Sequence, residues 1–148
     1  MKRSTSMNDL KAITILFRAT DALGKAIQRD VKSFGLNVTE FGILEALYHL
    51  GEMPIKALLE KVLITNSTMS YVITQLMNKT YIYKTQSPTD RRSFLLALTD
   101  KGQDLMDEIF QKHKRNMREI ISVLTEEEEE QFKNMLKKVG KRASEYRV

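Results

Sequence analysis

The sequence predicts a mainly α-helical fold with one small β-hairpin. Apolar residues recur at three- to four-residue steps through most of the chain, which is the spacing of amphipathic helices. The exception is the stretch from Tyr81 to Gly102, where two short strand-like runs flank the turn residues Ser87-Pro88-Thr89-Asp90. The 148 residues suit a single domain rather than two.

Three helices are expected in the first part of the chain. The apolar spacing over residues 8–34 predicts a long amphipathic helix, which Gly35 ends. Thr39 is a suitable N-cap for a second helix, which Gly51 ends. Because proline is tolerated in the first turn of a helix, Pro54 is expected to open a short third helix.

Residues 65–79 are predicted to form a helix with two different faces. The apolar face carries Met69, Val72, Ile73 and Leu76. The other face is polar and almost uncharged and carries Ser67, Tyr71, Thr74 and Asn78, with Thr65 as the expected N-cap. A short helix, a tight connection and a helix with a hydrogen-bonding face make a helix-turn-helix, and the hairpin that follows makes this unit a winged one.

The basic residues of the hairpin point to a polyanionic partner. Lys and Arg outnumber Asp and Glu by 24 to 19, which permits such a partner without requiring one. Arg91 and Arg92 are expected at the hairpin tip, where a guanidinium on a stiff support can enter a minor groove or bind phosphates. An ordinary pair of surface charges is the alternative, but the position directly after a candidate reading helix favours double-stranded DNA.

The candidate DNA contacts are hydrogen-bonding or basic side chains on this helix and hairpin. They are Asn66, Ser67, Thr68, Ser70, Tyr71, Thr74, Gln75, Lys84, Arg91 and Arg92. Gln75 could pair with adenine in the major groove. Lys84 could contact phosphate, but a solvated surface lysine is an equally good interpretation of it. Asp90 is expected to orient the wing, because phosphate repels a carboxylate.

Two further helices are expected after the hairpin. Thr99 caps a long helix, and Thr125 to Glu128 matches a capping box that opens the last helix. The first and last two helices carry more apolar surface than one small domain can cover, so residues 8–34 and 103–146 are expected to build a homodimer around a winged core at residues 36–100. A two-fold dimer presents two reading helices to a pseudo-palindromic duplex site.

The hairpin and the residues after it resemble a known family of regulators. Asp90, Arg92, Leu96, Leu98 and Thr99 match the wing signature D-x-R-x-x-x-L-x-L-T of the MarR family, and Asp100-Lys101-Gly102 follow where that family has a T-x-K-G turn. The resemblance spans about residues 10–143. The sequence departs from the family pattern where Leu63 and Thr80 replace glycines and where Tyr71 replaces an arginine. These departures bear on the base preference rather than on the fold.

The resemblance implies a dimeric DNA-binding repressor, or less often an activator, that releases DNA when a small aromatic effector binds between the dimerisation helices and the winged core. Residues 35–55 are most similar to the branch that responds to quinones and phenolic compounds. Candidate effector-pocket residues are Phe17, Phe34, Tyr48, His49, Met53 and His113, although core packing would place apolar residues at the same positions. Without a cysteine, a quinone response requires noncovalent binding or modification of another residue type.

Composition argues against several other classes of protein. The absence of cysteine removes disulfides, thiolate zinc sites and thiol catalysis, and His49 and His113 are too far apart in sequence to argue a metal site. No catalytic or nucleotide-binding motif is present, and no apolar run approaches the ~20 residues that span a bilayer. We therefore expect a cytoplasmic protein with no enzymatic activity, no cofactor and no membrane contact. The alternative to a DNA reader is a winged-helix adaptor that binds a protein partner and does not read DNA.

Overall fold

The computed structural model describes residues 10–62 and 66–148, and over these residues the chain forms six helices and three short strands. In chain order they are α1 (Lys11–Ser33), α2 (Val38–Leu50), β1 (Met53–Pro54), α3 (Ile55–Lys61), α4 (Asn66–Asn78), β2 (Ile82–Gln86), β3 (Phe94–Leu98), α5 (Asp100–Ile121) and α6 (Glu126–Glu145). This confirms the predicted mainly α-helical class with a hairpin between the fourth and fifth helices. The chain divides into two units, one that ends at Gln111 and one over Lys112–Val148.

The start of α2 differs from the prediction. Asn37, not Thr39, is the N-cap: its side chain accepts a hydrogen bond from the Glu40 amide at 2.8 Å, and Glu40 Oε1 accepts one from the Asn37 amide at 3.1 Å. This reciprocal pair is a capping box, which satisfies two amides that would otherwise lack partners. Thr39 could make only half of this arrangement, because the residue three positions after it is Gly42.

The predicted ends of α1 and α2 are confirmed. Gly35 and Gly51 have φ angles of 79° and 77°, a left-handed backbone conformation that glycine adopts without steric cost. After α1 the Leu36 amide donates to the Val31 carbonyl at 3.2 Å, and after α2 the Gly51 amide donates to the Leu47 carbonyl at 2.9 Å. These bonds satisfy carbonyls that a helix leaves free at its C-terminal end.

The hairpin belongs to a three-stranded antiparallel sheet with the strand order β1-β3-β2. β2 and β3 pair along their full length, as expected for a wing. β1 adds a third strand that the sequence did not predict, in which Met53 lies opposite Leu96. The sequence does not reveal β1 because two residues are too few to show the alternation of a strand. Pro54 fits an edge strand because it has no backbone amide hydrogen to donate.

The hydrophobic core connects every helix of the first unit to the sheet. Its fully buried side chains are Val31 from α1, Ile43 and Leu44 from α2, Leu58 from α3, Met69 and Leu76 from α4, Leu96 from β3 and Met106 from α5. Both the apolar face of α4 and the N-terminal part of α5 therefore pack into the same core. This shared core holds the helix-turn-helix and the hairpin on one support.

The second unit contains the end of α5 and all of α6. The predicted capping box is confirmed, since Thr125 Oγ1 accepts from the Glu128 amide at 3.1 Å and Glu128 Oε1 accepts from the Thr125 amide at 3.0 Å. Arg118 Nη1 donates to both carboxylate oxygens of Glu129, at 2.9 and 3.1 Å, and these bonds raise the pKa of the guanidinium. No side chain of α6 is buried, and Val139 is among its exposed apolar residues.

Candidate nucleic-acid interface

α4 has the two faces that its sequence predicts. Met69, Val72, Ile73 and Leu76 are buried in the core, whereas Thr68, Ser70, Tyr71 and Thr74 are exposed. The Tyr71 side chain is 66% exposed, and the Thr74 hydroxyl donates to the Ser70 carbonyl at 3.0 Å. Gln75 is partly buried at the edge of the outward face. The outward face thus presents hydroxyl, phenol and amide groups and no charge, a composition suited to hydrogen bonding with base edges or phosphates.

The N-terminal end of α4 is described only in part. Asn66 and Ser67 lie in its first turn. Thr65, the expected N-cap, and Leu63 lie outside the described residues.

The tip of the hairpin is organised around Asp90. Its carboxylate accepts a hydrogen bond from the Arg92 amide at 3.0 Å and another from the Ser93 hydroxyl at 3.1 Å, and the Ser93 amide donates to the Asp90 carbonyl at 3.0 Å. The side-chain amide of Gln86 donates to the Arg91 carbonyl at 2.7 Å. Asp90 thus bends the backbone that carries the two arginines, and both arginine side chains are exposed at the tip.

Lys84 lies along the hairpin rather than at its tip. Its Nζ is 4.2 Å from the centre of the Phe94 ring on the neighbouring strand, a distance at which a cation is attracted to the face of the ring. Lys84 is exposed and pairs in register with Leu96. Its ammonium is therefore held on the hairpin surface with access to solvent.

A sharp turn joins α4 to β2. Thr80 has a φ of 62°, the only positive φ among the described non-glycine residues. The Thr80 amide donates to the Met77 carbonyl at 2.9 Å, and the Tyr81 amide donates to the Leu76 carbonyl at 3.0 Å. Lys79, just before the turn, places its Nζ 2.6 Å from a carboxylate oxygen of the buried Glu40 on α2. The end of α4 is therefore attached to the helix that precedes the helix-turn-helix.

An aromatic group lies between α2 and α5. The ring of His49 is 5.2 Å from that of Tyr48 and 4.5 Å from that of Phe110, between ring centres. The Tyr48 hydroxyl donates to Asp107 Oδ1 at 2.8 Å, and this hydrogen bond raises the pKa of the phenol. The sequence did not single out Phe110, because helical spacing marks it only as an apolar residue and the fold alone brings it to Tyr48.

The other residues considered for an effector pocket lie in different surroundings. Met53 is a core residue of β1, and Phe34 packs partly buried against the same core. Phe17 is 72% exposed on α1. His113 belongs to the second unit and is described with that unit only. From the predicted set, the sequence neighbours Tyr48 and His49 belong to this aromatic group, to which the fold adds Phe110.

A groove of about 570 Å³ follows one face of α2 from Val38 to Leu50 and is also lined by Lys61 and Val62 at the end of α3. Its walls are mostly apolar, and His49 connects the groove with the aromatic group. Gly42 also lines the groove, and a Cβ added there would stand 3.2 Å from a methyl group of Val62. This groove is large enough for a small organic molecule.

Within residues 10–62 and 66–148, no cluster of His, Cys, Asp and Glu side chains could hold a metal ion. None of the helices in this part of the chain has the length and apolar character needed to span a bilayer.

Comparison with known proteins identifies the family. Residues 36–94 match the model of the MarR family. The chain is 38% identical over 137 residues to the HTH-type transcriptional regulator MhqR of Bacillus subtilis (strain 168), covering 93% of this chain and 94% of that protein.

Solved structures of MarR-type regulators share the fold. Sco3205, a MarR family transcriptional regulator from Streptomyces coelicolor solved in complex with DNA, superposes with a TM-score of 0.83 at 19% identity, over 95% of this chain and 90% of that one. Bordetella bronchiseptica BpsR, whose DNA binding is regulated by 6-hydroxynicotinic acid, superposes with a TM-score of 0.77 at 22% identity, over 88% and 98%. With a relative so similar along nearly its whole length, and with a helix-turn-helix followed by a two-arginine wing, the chain belongs to the MarR family of DNA-binding transcriptional regulators, which are not enzymes.

Proposed function

We propose that this regulator is a dimeric, sequence-specific repressor that a small aromatic or phenolic ligand releases from its operator. The observation that carries the proposal is the uncharged hydrogen-bonding face of α4 directly before a hairpin whose tip exposes Arg91 and Arg92. A helix with such a face fits the major groove, and two guanidinium groups on a short hairpin fit the adjacent minor groove or its phosphates. In this arrangement the helix reads the bases, and the wing positions the protein on the DNA.

The proposed DNA contacts fall into two groups by chemistry. Base edges and nearby phosphates are bound by Asn66, Ser67, Thr68, Ser70, Tyr71, Thr74 and Gln75, and the backbone is bound by Lys84, Arg91 and Arg92. Asp90 orients the wing through the hydrogen bonds that shape its tip.

The dimer is proposed from the apolar surface of the terminal helices. α1 exposes Ile13, Ile15 and Phe17, with exposed fractions of 51%, 55% and 72%, and α6 exposes Met135 and Val139 at 56% and 54%. Apolar side chains in such number on amphipathic helices indicate surfaces that a partner covers. A second copy of the chain is the partner that also supplies a second reading helix for a pseudo-palindromic operator.

The ligand is proposed to bind beside α2. The aromatic group of Tyr48, His49 and Phe110 offers ring faces and edges, and the mostly apolar groove along α2 offers volume. BpsR supports an aromatic ligand by analogy, since 6-hydroxynicotinic acid regulates its DNA binding. The similarity of residues 35–55 to the quinone- and phenol-responsive branch selects phenols as the first compounds to test.

Cytoplasmic action follows from the proposed partner, because the operator is chromosomal DNA. The family assignment supports this location.

The experiment that tests the function has two stages. Selection of bound duplexes from a random pool is expected to yield a pseudo-palindrome, and enrichment of no sequence would overturn sequence-specific reading. Phenols and quinones are then screened for release of this duplex in a fluorescence-anisotropy titration, with the Tyr48→Phe variant in parallel. Because Tyr48→Phe removes the hydroxyl bonded to Asp107 and keeps the ring, it is expected to change ligand sensitivity while DNA affinity stays within about twofold.

The sign of regulation requires a reporter assay. A promoter that contains the selected duplex is expected to be silent with the protein present and active after addition of the releasing phenol. Activation by the protein without ligand would assign it to the less common activators.

A further inference from the structure

The first turn of α5 binds the C-terminal end of α4, and this contact is separate from the surfaces assigned above. Lys101 Nζ donates to the Lys79 carbonyl at 3.0 Å and to Thr80 Oγ1 at 3.3 Å. Thr99 Oγ1 donates to the Thr80 carbonyl at 2.6 Å, and the Thr99 amide donates to the Tyr81 carbonyl at 3.0 Å. Three consecutive carbonyls after α4 thus receive hydrogen bonds from two residues of the later helix start.

The backbone that Lys101 contacts is conformationally demanding. Thr80 has a φ of 62°, which crowds a β-branched residue and persists only where neighbouring groups hold it. The last carbonyls of a helix lack intrahelical partners and carry partial negative charge, so an ammonium group beside them is favourable. The Thr80 hydroxyl also donates to the Lys79 carbonyl, at 2.6 Å, so Lys101 adds a second, charged donor to this carbonyl beside the strained turn.

The approach of α5 to this turn is close. A Cβ on Gly102 would lie 2.1 Å from the Tyr81 carbonyl oxygen, so no other residue fits there without displacing the backbone. Lys101 Nζ also lies over the Tyr81 ring, 4.9 Å from the ring centre. The ammonium group of Lys101 is thereby held at the turn by the Tyr81 ring and by its two hydrogen bonds.

We propose that Lys101 is a positioning residue for DNA binding: its ammonium group fixes the turn at Lys79 and Thr80 and thereby sets the angle between α4 and the hairpin. The residues between Asn78 and Ile82 join these two elements along the chain, and together with the shared core the turn sets whether both reach the same duplex. Lys101 acts through the protein backbone and makes no contact with DNA. This inference depends on the DNA-reading role proposed for α4 and the wing.

Salt dependence separates this role from a phosphate contact. Lys101→Met keeps the length and the apolar stem and removes the charge, and it is expected to weaken operator binding about three- to tenfold with an unchanged slope of log K against log salt. Lys84→Met, which removes a proposed phosphate contact, is expected to reduce that slope by about 0.9. Lys25→Met is the control for the loss of one positive charge. It removes a lysine that forms only an exposed ion pair with Asp21 at 2.9 Å. A slope reduced by about 0.9 in Lys101→Met would overturn the proposal.

Hydrogen exchange in the free protein tests the same inference without DNA. The amides of Thr80 and Tyr81 are bonded to Met77 and Leu76, and in Lys101→Met they are expected to exchange at least about threefold faster, while the Gly51 amide keeps its rate. Unchanged exchange at Thr80 and Tyr81 would refute the positioning role. Should the wild-type protein bind no operator, the DNA role of α4 fails while the exchange result still reports on Lys101.

Two companion variants keep the proposal falsifiable if Lys101→Met folds poorly. Lys101→Arg retains a cation and donors and is expected to bind the operator within about twofold of wild type. Thr80→Gly adopts the left-handed turn without strain, so the effect of Lys101→Met on affinity is expected to shrink in the Thr80→Gly background. Equal effects in both backgrounds would show that Lys101 does not act through this turn.

Discussion

At the scale of single residues, substitution by alanine is expected to change the free energy of unfolding in opposite directions at Gly102 and at Gly24. A Cβ at Gly102 would meet the Tyr81 carbonyl at 2.1 Å, whereas nothing lies within 4 Å of one at Gly24. Gly102→Ala is expected to lower the free energy of unfolding by about 1–3 kcal/mol despite the better helix propensity of alanine. Gly24→Ala is expected to raise it by about 0.5–1 kcal/mol. Urea denaturation followed by circular dichroism measures both, and equal shifts would contradict the close approach at Gly102.

The wing arginines lead to a second residue-scale prediction. The double substitution Arg91→Ala/Arg92→Ala is expected to raise the operator Kd at least about tenfold and, where both bind phosphate, to reduce the salt slope by about 1.8. The Asp90 hydrogen bonds that shape the tip involve the Arg92 amide rather than the guanidinium groups, so the hairpin itself is expected to keep its conformation. Anisotropy titration at several salt concentrations provides the measurement.

A control with the same loss of charge is available on α1. The exposed side chains of Lys25 and Arg29 can be replaced together by alanine. If this control weakened DNA binding as much as the wing variant, the effect would reflect net charge alone and the wing contact would be wrong.

At the scale of elements, the ion pair between Lys79, directly after α4, and Glu40 on α2 determines how firmly the candidate reading helix is held. Glu40 is 5% exposed, and its carboxylate binds both the Asn37 amide and Lys79 Nζ. Lys79→Met leaves a buried charge without its cation and is expected to lower the free energy of unfolding by about 1–2 kcal/mol, since the lysine is itself partly exposed. Adding Glu40→Gln removes the charge and is expected to restore part of the loss. No loss in urea unfolding of Lys79→Met would show that solvent screens this pair.

Features of these elements could be predicted from the sequence where residues close together in the chain determine them. The faces of α4 were predicted from Met69 to Leu76, because four buried positions at helical spacing admit one interpretation. Asn37 was missed although Glu40 stands three residues later, the spacing of a capping box, because Thr39 is also a good cap. The contacts of Lys101 were not predictable, since they join residues 21 and 22 positions apart and depend on the path of the hairpin between them.

At the scale of the whole molecule, two copies of the chain are required for the proposed mode of reading. One winged core contributes one helix and one hairpin, which together cover one half-site. Joining two cores in a dimer makes the second contact intramolecular, and the gain in affinity is typically about 10²–10⁴-fold without any new contact. Dimerisation and operator affinity are therefore expected to be lost together.

The last prediction tests this coupling on α6. Val139 is 54% exposed, and Val139→Asp is expected to reduce the mass in solution from twice the 17.1 kDa of the chain to that of one chain, because a carboxylate opposes burial in an apolar interface. The same variant is expected to bind the full operator at least about 100-fold more weakly. Asn134→Asp adds the same charge at an exposed polar position of the same helix and is expected to remain dimeric. Light scattering at micromolar concentration decides the mass, and a dimeric Val139→Asp variant with wild-type affinity would place the dimer contact on a surface other than this face of α6.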